Sequence, residues 1–238
     1  MAEPKELHYF DEWYERGLDW YSAQFSMAPP GAVVGEATPN YLYAPTALSR
    51  LRSDVPEVRT LATLRHPVDR AYSHYQMRVA RGRESRTWLE VVEAELEQWV
   101  YPGYLDRSMY GRQLSTLVDL FAPEHILVLA FEDLRDQPQA TFTNVCHYLG
   151  IATVVPGSVG RLVNAYFSVR SRRLRRLSKR LKGIPVLRNV LVRVNQREKP
   201  YQPMEPHLHR RLSRHFADDA ATALALAGWD HDPWHLTD

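Results

Sequence analysis

Arg65 and Ser73, eight residues apart in the stretch TLATLRHPVDRAYSHYQ (Thr60 to Gln76), combine a guanidinium fork with a hydroxyl. Together they could grip an oxyanion such as a phosphate. Val58 to Leu64 is a short, mostly apolar run of strand length, and Pro67 suits the first turn of a helix, where its missing N–H would be unpaired anyway. Arg65 is therefore expected at the carboxyl end of a strand, just ahead of a helix N-terminus with free N–H donors and partial positive charge. In open α/β sheets ligands bind outside the carboxyl ends of the strands. Ser73, two turns into the helix and near the face of His66 and Asp69, could aim its hydroxyl at the same spot. The plainer alternative pairs Arg65 with Asp69 and leaves Ser73 exposed. The residues alone leave the two level.

The surrounding elements set this stretch in an alternating pattern. Glu12 to Phe25 reads as one or two short helices with Trp13, Tyr14, Trp20 and Tyr21 packing inward. AVVGEATPNYLY suggests a short strand, Ala32 to Val34, that breaks into a loop at Gly35 and Pro39. A helix then runs from Pro45 to Pro56, the strand Val58 to Leu64 follows, and the helix from Pro67 stops near Gly82. Thr87 and Glu90 have capping-box spacing ahead of WLEVVEAELEQWV. RSMYGRQLSTLVDLFA is an amphipathic helix leading into HILVLAFEDL, the clearest strand, and PQATFTNVCHYLGI is a helix ending at Gly150. MEPHLHRRLSRHFADDAATALALAG is another helix, with Trp229 and Trp234 expected to pin the tail to the core. Strands alternating with helices predict an α/β fold of three layers, a mainly parallel sheet flanked by helices on both faces.

The totals narrow the classes. A chain of 238 residues can bury one sizeable core, so residues 1–238 are expected to form a single domain. With 45% hydrophobic and 24% charged residues and a net charge of +2, neither a disordered chain nor a strong polyanion binder is the default. The one cysteine, Cys146, cannot form an internal disulfide or a cysteine cluster for zinc, which suits a reducing compartment. The polar, acidic start MAEPKELHYFDEWYERG does not read as a signal peptide, and no apolar run approaches membrane-spanning length, so a cytoplasmic protein is expected. Residues 162–197 lack Asp and Glu, and Arg170 to Lys182 holds eight basic residues with leucines at helical spacing. Such a helix could touch an anionic membrane or nucleic acid, cover the fold, or lend charge to a site. Near-neutral overall charge argues against nucleic acid.

Four stretches in order resemble the sulfotransferases that use 3′-phosphoadenosine 5′-phosphosulfate (PAPS), in particular the branch of heparan sulfate sulfotransferases and their bacterial relatives. They are KELHYFD with RGLDWY (Lys5 to Tyr21), GEATPNYLY (Gly35 to Tyr43), LRHPVDRAYSHY (Leu64 to Tyr75) and ILVLAFEDLRDQP (Ile126 to Pro138). The resemblance implies a P-loop-NTPase-like sulfotransferase fold and transfer of a sulfuryl group from PAPS to a hydroxyl or amine of a carbohydrate, lipid or small molecule. It puts Arg65 and Ser73 on the donor's 3′-phosphate and Glu6 as the base. His8 and Asp11 contact the acceptor or orient that base, and Glu36 lies at the substrate. Without the resemblance, Glu6 would read as an exposed terminal glutamate. A basic loop should close over the nucleotide, for which Arg170 and Arg172 or Arg173 are available. Nothing in this chemistry requires a metal, and HDPWH at His231 to His235 reads as tail packing.

Two departures bear on that implication. Family members begin with a strand and a phosphosulfate loop of the kind K-x-G-T-T, and no such loop occurs in these residues. PGSVGR at Pro156 to Arg161 lacks the lysine and the strand–helix setting. Loss of that strand should leave the sheet gapped, and the expectations are an N-terminally incomplete copy, a loop supplied by another chain, or a module that binds nucleotide or a partner without turnover. Ala37 also stands where the glycan-modifying enzymes often have lysine.

Overall fold

The computed structural model describes residues 2, 4–160, 167–169, 196–198 and 202–235. Along them run α1 (Leu18–Ala23), α2 (Asn40–Tyr43), α3 (Pro45–Asp54), β1 (Thr60–Leu64), α4 (Pro67–Ala80), α5 (Trp88–Glu97), α6 (Tyr110–Leu120), β2 (Ile126–Ala130), α7 (Phe131–Asp136), α8 (Pro138–Leu149), β3 (Phe167–Val169), β4 (Gln196–Glu198) and α9 (Pro206–Ala227). Local chemistry accounts for many of the boundaries. Proline occupies the first turn of α3 and α8, where no N–H is needed. Thr87 accepts from the Glu90 N–H while Glu90 reaches back to the Thr87 N–H, a complete capping box at α5. Gly150 ends α8 in the left-handed conformation, φ 69°, that glycine adopts without steric cost.

The chain forms two compact units: Met1–His66, Met109–Gly160 and Phe216–Asp238 in the first, Pro67–Ser108 and Arg161–His215 in the second. In the first, β1 and β2 are parallel neighbours in the register Thr60↔Ile126 through Leu64↔Ala130. They are hydrogen-bonded directly to each other, so the expected gap in the sheet does not fall between them. Helices flank the pair, with α7 and α8 against β2 and α3 against α6. Phe10, Leu48, Leu64, Leu114, Val128 and Trp234 belong to the buried core they enclose. The tail is pinned as expected: the Trp229 indole donates to the Val128 carbonyl at 2.9 Å, and Trp234 is buried.

The second unit is organised on aromatics and ion pairs. Trp88 of α5 meets Tyr72 and Tyr75 of α4, and Tyr104 closes edge-on against Tyr75 and Trp88. Beneath them Glu84 holds Arg86 and accepts from the Tyr104 hydroxyl at 2.9 Å. The Glu95 carboxylate accepts from the backbone N–H groups of Tyr104 and Leu105, at 2.9 and 2.7 Å. β3 and β4 pair antiparallel.

Three sequence expectations need correction. Ala32 to Val34 do not form a strand: the Ala32 N–H closes a turn onto Pro29, and Val33 and Val34 are 56% and 45% exposed. The chain beyond them runs beside the N-terminal segment instead. The strand in HILVLAFEDL stops at Ala130, because Glu132 and Asp133 start α7, where acidic side chains suit a helix N-terminus. Trp13 is not packed inward. It is 41% exposed and forms, with Trp20, two ring faces for the Arg16 guanidinium, which lies 4.6 and 4.7 Å from the ring centres. The basic stretch Arg170 to Lys182, with Arg170, Arg172 and Arg173, lies outside the described residues.

Candidate active site

The site is built from two stretches of the first unit that run side by side. The Ala2 N–H donates to the Gly35 carbonyl and the Ala37 N–H to the Lys5 carbonyl, both at 3.0 Å. Further along, side chains replace backbone as the partners. The Leu7 N–H donates to the Glu36 carboxylate at 3.2 Å and the His8 N–H to the Thr38 hydroxyl at 3.3 Å. The Tyr9 and Phe10 N–H groups converge on the Tyr41 hydroxyl at 2.9 and 3.4 Å. The Tyr41 hydroxyl itself donates to Glu36 at 2.8 Å, and the Thr38 hydroxyl donates to Glu36 at 2.6 Å. Burial first, then the hydrogen bond to Glu36, pushes the Tyr41 phenol well above its ordinary value, so it remains a donor.

On this support the chain turns sharply at His8, whose φ of 52° is unusual for a residue with a side chain. Such a conformation costs about 1 kcal/mol or more and persists where neighbouring bonds over-determine it. Here the His8 carbonyl accepts from the Glu12 and Trp13 N–H groups, closing the turn. The consequence is chemical. His8 Nδ1 faces both Asp11 oxygens, at 3.2 and 3.0 Å, while Nε2 faces Glu6 Oε2 at 3.6 Å. The Asp11 side chain is nearly buried, 4% exposed, and also accepts from Asn40 Nδ2 at 2.6 Å; Glu6 is 53% exposed. Burial alone would lower the His8 pKa, but the Asp11 hydrogen bond and the charges of Asp11, Glu12 and Glu6 outweigh it and raise it above 6.5. The result is an accessible carboxylate beside an imidazole whose far nitrogen is anchored by a buried carboxylate, an arrangement fitted to moving a proton. His8, Asp11 and Glu12 bring ligand atoms within 4.8 Å of one another, but Nδ1 is committed to Asp11 and the group reads as one hydrogen-bonded network.

Arg65 lies where the strand pattern puts it, directly after β1. Its guanidinium lies 5.3 Å from the Phe131 ring centre, and the next backbone N–H, that of His66, donates to Glu132 at 3.0 Å. The start of α7 therefore steadies the turn that carries the arginine. Ser73 belongs to the second unit, half-buried within α4. Glu6, His8, Asp11 and Glu36 thus share one local network, whereas Arg170 and Arg172 fall outside the described residues. Sequence reasoning missed Thr38, Asn40 and Tyr41. Their signal was present in GEATPNYLY, since residues i and i+2 of an extended segment share a side and Pro39 turns the chain back towards it.

An α/β frame with a carboxylate–imidazole network in the same unit as an arginine at the carboxyl end of a parallel strand has the equipment of a group-transfer enzyme. The model of the sulfotransferase family matches residues 6–154, well over half of the chain, and the chain belongs to that family. Among curated proteins it is similar to human heparan sulfate glucosamine 3-O-sulfotransferase 6, 28% identical over 158 residues that cover 63% of this chain and 44% of that protein. It is also similar to the membrane-associated sulfotransferase kil1 of Dictyostelium discoideum, 32% identical over 78 residues, 32% of this chain and 17% of that one. The chain therefore spans less than half the length of these relatives. A solved sulfotransferase from Alicyclobacillus acidocaldarius has the same fold, with a TM-score of 0.70 over 98% of this chain and 87% of that one at 24% identity.

Proposed function

We propose that the protein is a PAPS-dependent sulfotransferase acting on a hydroxyl or amine, most simply one carried by a sugar. The observation that carries the reading is the Glu6–His8–Asp11 network, which lies within or at the edge of the family match and has the geometry of a supported base. The acceptor oxygen or nitrogen attacks the sulfur of PAPS, the bond from sulfur to the bridging phosphate oxygen breaks, and adenosine 3′,5′-bisphosphate leaves. The acceptor proton goes to Glu6. The moving group is anionic and electron-poor, so most of the acceleration comes from alignment and from cations at its oxygens. Arg65 holds the 3′-phosphate at the end of β1; Ser73 of α4 and basic residues of the 162–197 stretch are further candidates for the nucleotide by family resemblance alone. The similarity to a heparan sulfate 3-O-sulfotransferase supports a glycan as the acceptor.

The test is transfer of labelled sulfate from PAPS to a panel of glycans with free hydroxyls and amines. Glu6→Gln is expected to lower kcat by about 10²–10⁴-fold, the usual worth of a general base, while calorimetry finds nucleotide affinity unchanged. Nucleotide binding without any transfer would favour the second reading, a binding module. No affinity for adenosine 3′,5′-bisphosphate would overturn both.

A further inference from the structure

Glu36 belongs to the GEATPNYLY motif and is acidic, which invites a role in contacting substrate. Its surroundings assign it another. One carboxylate oxygen accepts from the Leu7 N–H and the Thr38 hydroxyl, and the other from the Tyr41 hydroxyl. A carboxylate has about four acceptor sites, so donors of this chain take up most of its capacity. What these donors hold is informative. Four consecutive backbone N–H groups, from Leu7 to Phe10, are bound by the side chains of Glu36, Thr38 and Tyr41 and by no β-ladder. An ordinary paired strand would satisfy only alternate N–H groups on one side. Side chains of different length reach all four, which lets the backbone leave the extended conformation and enter the left-handed turn at His8.

We propose that Glu36, with Thr38 and Tyr41, is a positioning clamp that fixes the main chain of residues 7–10 and so sets the aim of Glu6 and His8. This inference rests on the sulfuryl-transfer reading for its purpose, but the clamp itself is a property of the fold. Glu6 is covalently next to the first clamped N–H and His8 carries the second, so freedom in this segment becomes freedom in the direction of the base. A displacement of about 1 Å at a reacting group can cost on the order of 100-fold in rate. The clamp should therefore act on kcat and leave substrate affinity alone.

Two measurements on the full chain decide this. Hydrogen exchange in Glu36→Ala and Tyr41→Phe should speed about tenfold or more at the amides of Leu7 to Phe10, with β1 and β2 amides still protected. In steady-state assays Glu36→Ala should lower kcat about tenfold or more with both KM values within about twofold. Glu36→Gln, which keeps a carbonyl acceptor, should recover most of that loss. Thr38→Val, which frees only the His8 N–H, gives a gentler variant should the others fail to fold, and should speed exchange at His8 above all. Unchanged exchange at residues 7–10 overturns the clamp. A raised acceptor KM with kcat intact also overturns it and returns Glu36 to the acceptor. Absence of turnover in the unmodified chain defeats the functional reading instead, and the exchange result then decides the clamp by itself.

Discussion

Arg65 and Glu36 are charged residues in neighbouring motifs, and the fold uses them in opposite senses. Glu36 is turned inward onto main chain of its own unit, whereas Arg65 stands at a strand end, stacked on Phe131, where open α/β sheets take their ligands. Replacing Arg65 by Met should weaken binding of adenosine 3′,5′-bisphosphate about tenfold to a hundredfold, the worth of a hydrogen bond to a charged group, and calorimetry reads this directly. Affinity unchanged by the substitution would remove Arg65 from the nucleotide site. Its strand-end position was legible because an apolar run followed by Arg, His and Pro leaves few alternatives. The use of Glu36 was not, since sequence reveals a carboxylate but not which donors the fold will bring to it. The Glu6–His8–Asp11 grouping lies between these cases. Its members were named through resemblance, but the turn that brings Nδ1 to Asp11 depends on a backbone conformation that no spacing rule expects of histidine.

Among the elements, those stopped or started by their own residues are the ones legible in the sequence. Thr87 and Glu90 form the box that their spacing implies, and Gly150 ends α8 as a left-handed cap. Thr87→Ala should cost about 1 kcal/mol in chemical denaturation, the typical worth of a lost N-cap. A loss indistinguishable from zero would mean that packing of Trp88 and Val91 alone sets the start of α5. Ala32 to Val34 failed as a strand for the complementary reason. Valines favour pleated structure only where a partner and a covering layer exist, and here the nearby backbone is engaged further along, at Gly35 and Ala37. The same explanation covers HILVLAFEDL, in which apolar Phe131 continues the run that the acidic pair after it converts into a helix.

At the scale of the molecule, the two units are assembled from interleaved stretches of chain, so neither is complete until residues beyond position 200 are in place. Composition and length could not reveal this interleaving, because it depends on long-range contacts. The second unit carries a distinct pH liability. Burial, then the charges of Arg70, Arg107, Arg78 and Arg81, lower the pKa of His74 to about 3. The unfolded chain, titrating near 6.5, then binds more protons than the folded one at intermediate pH. This contribution is whole above pH 6.5 and shrinks as the pH falls from 6.5 towards about 3. Glu84, held down to about 2 by its hydrogen bond to Arg86 against the opposing effect of burial, adds a second loss as the pH falls from 4.5 towards 2. Denaturation midpoints measured down this range should decline in both windows, and His74→Gln should flatten the upper one. A wild-type midpoint constant from pH 7 to 5 would refute the buried neutral imidazole.

Gly111 gives the molecule a fixed seam. Both its N–H and that of Arg112 donate to the Asp219 carboxylate, at 2.9 and 3.0 Å, bringing the first turn of α6 against α9 where Gly111 itself presents no side chain. A methyl group there would strike the Asp219 main-chain oxygen, a backbone atom that cannot swing aside. A single added carbon would therefore wedge two helices apart and cast loose the carboxylate that caps α6, a substitution that no compensating rotamer could absorb.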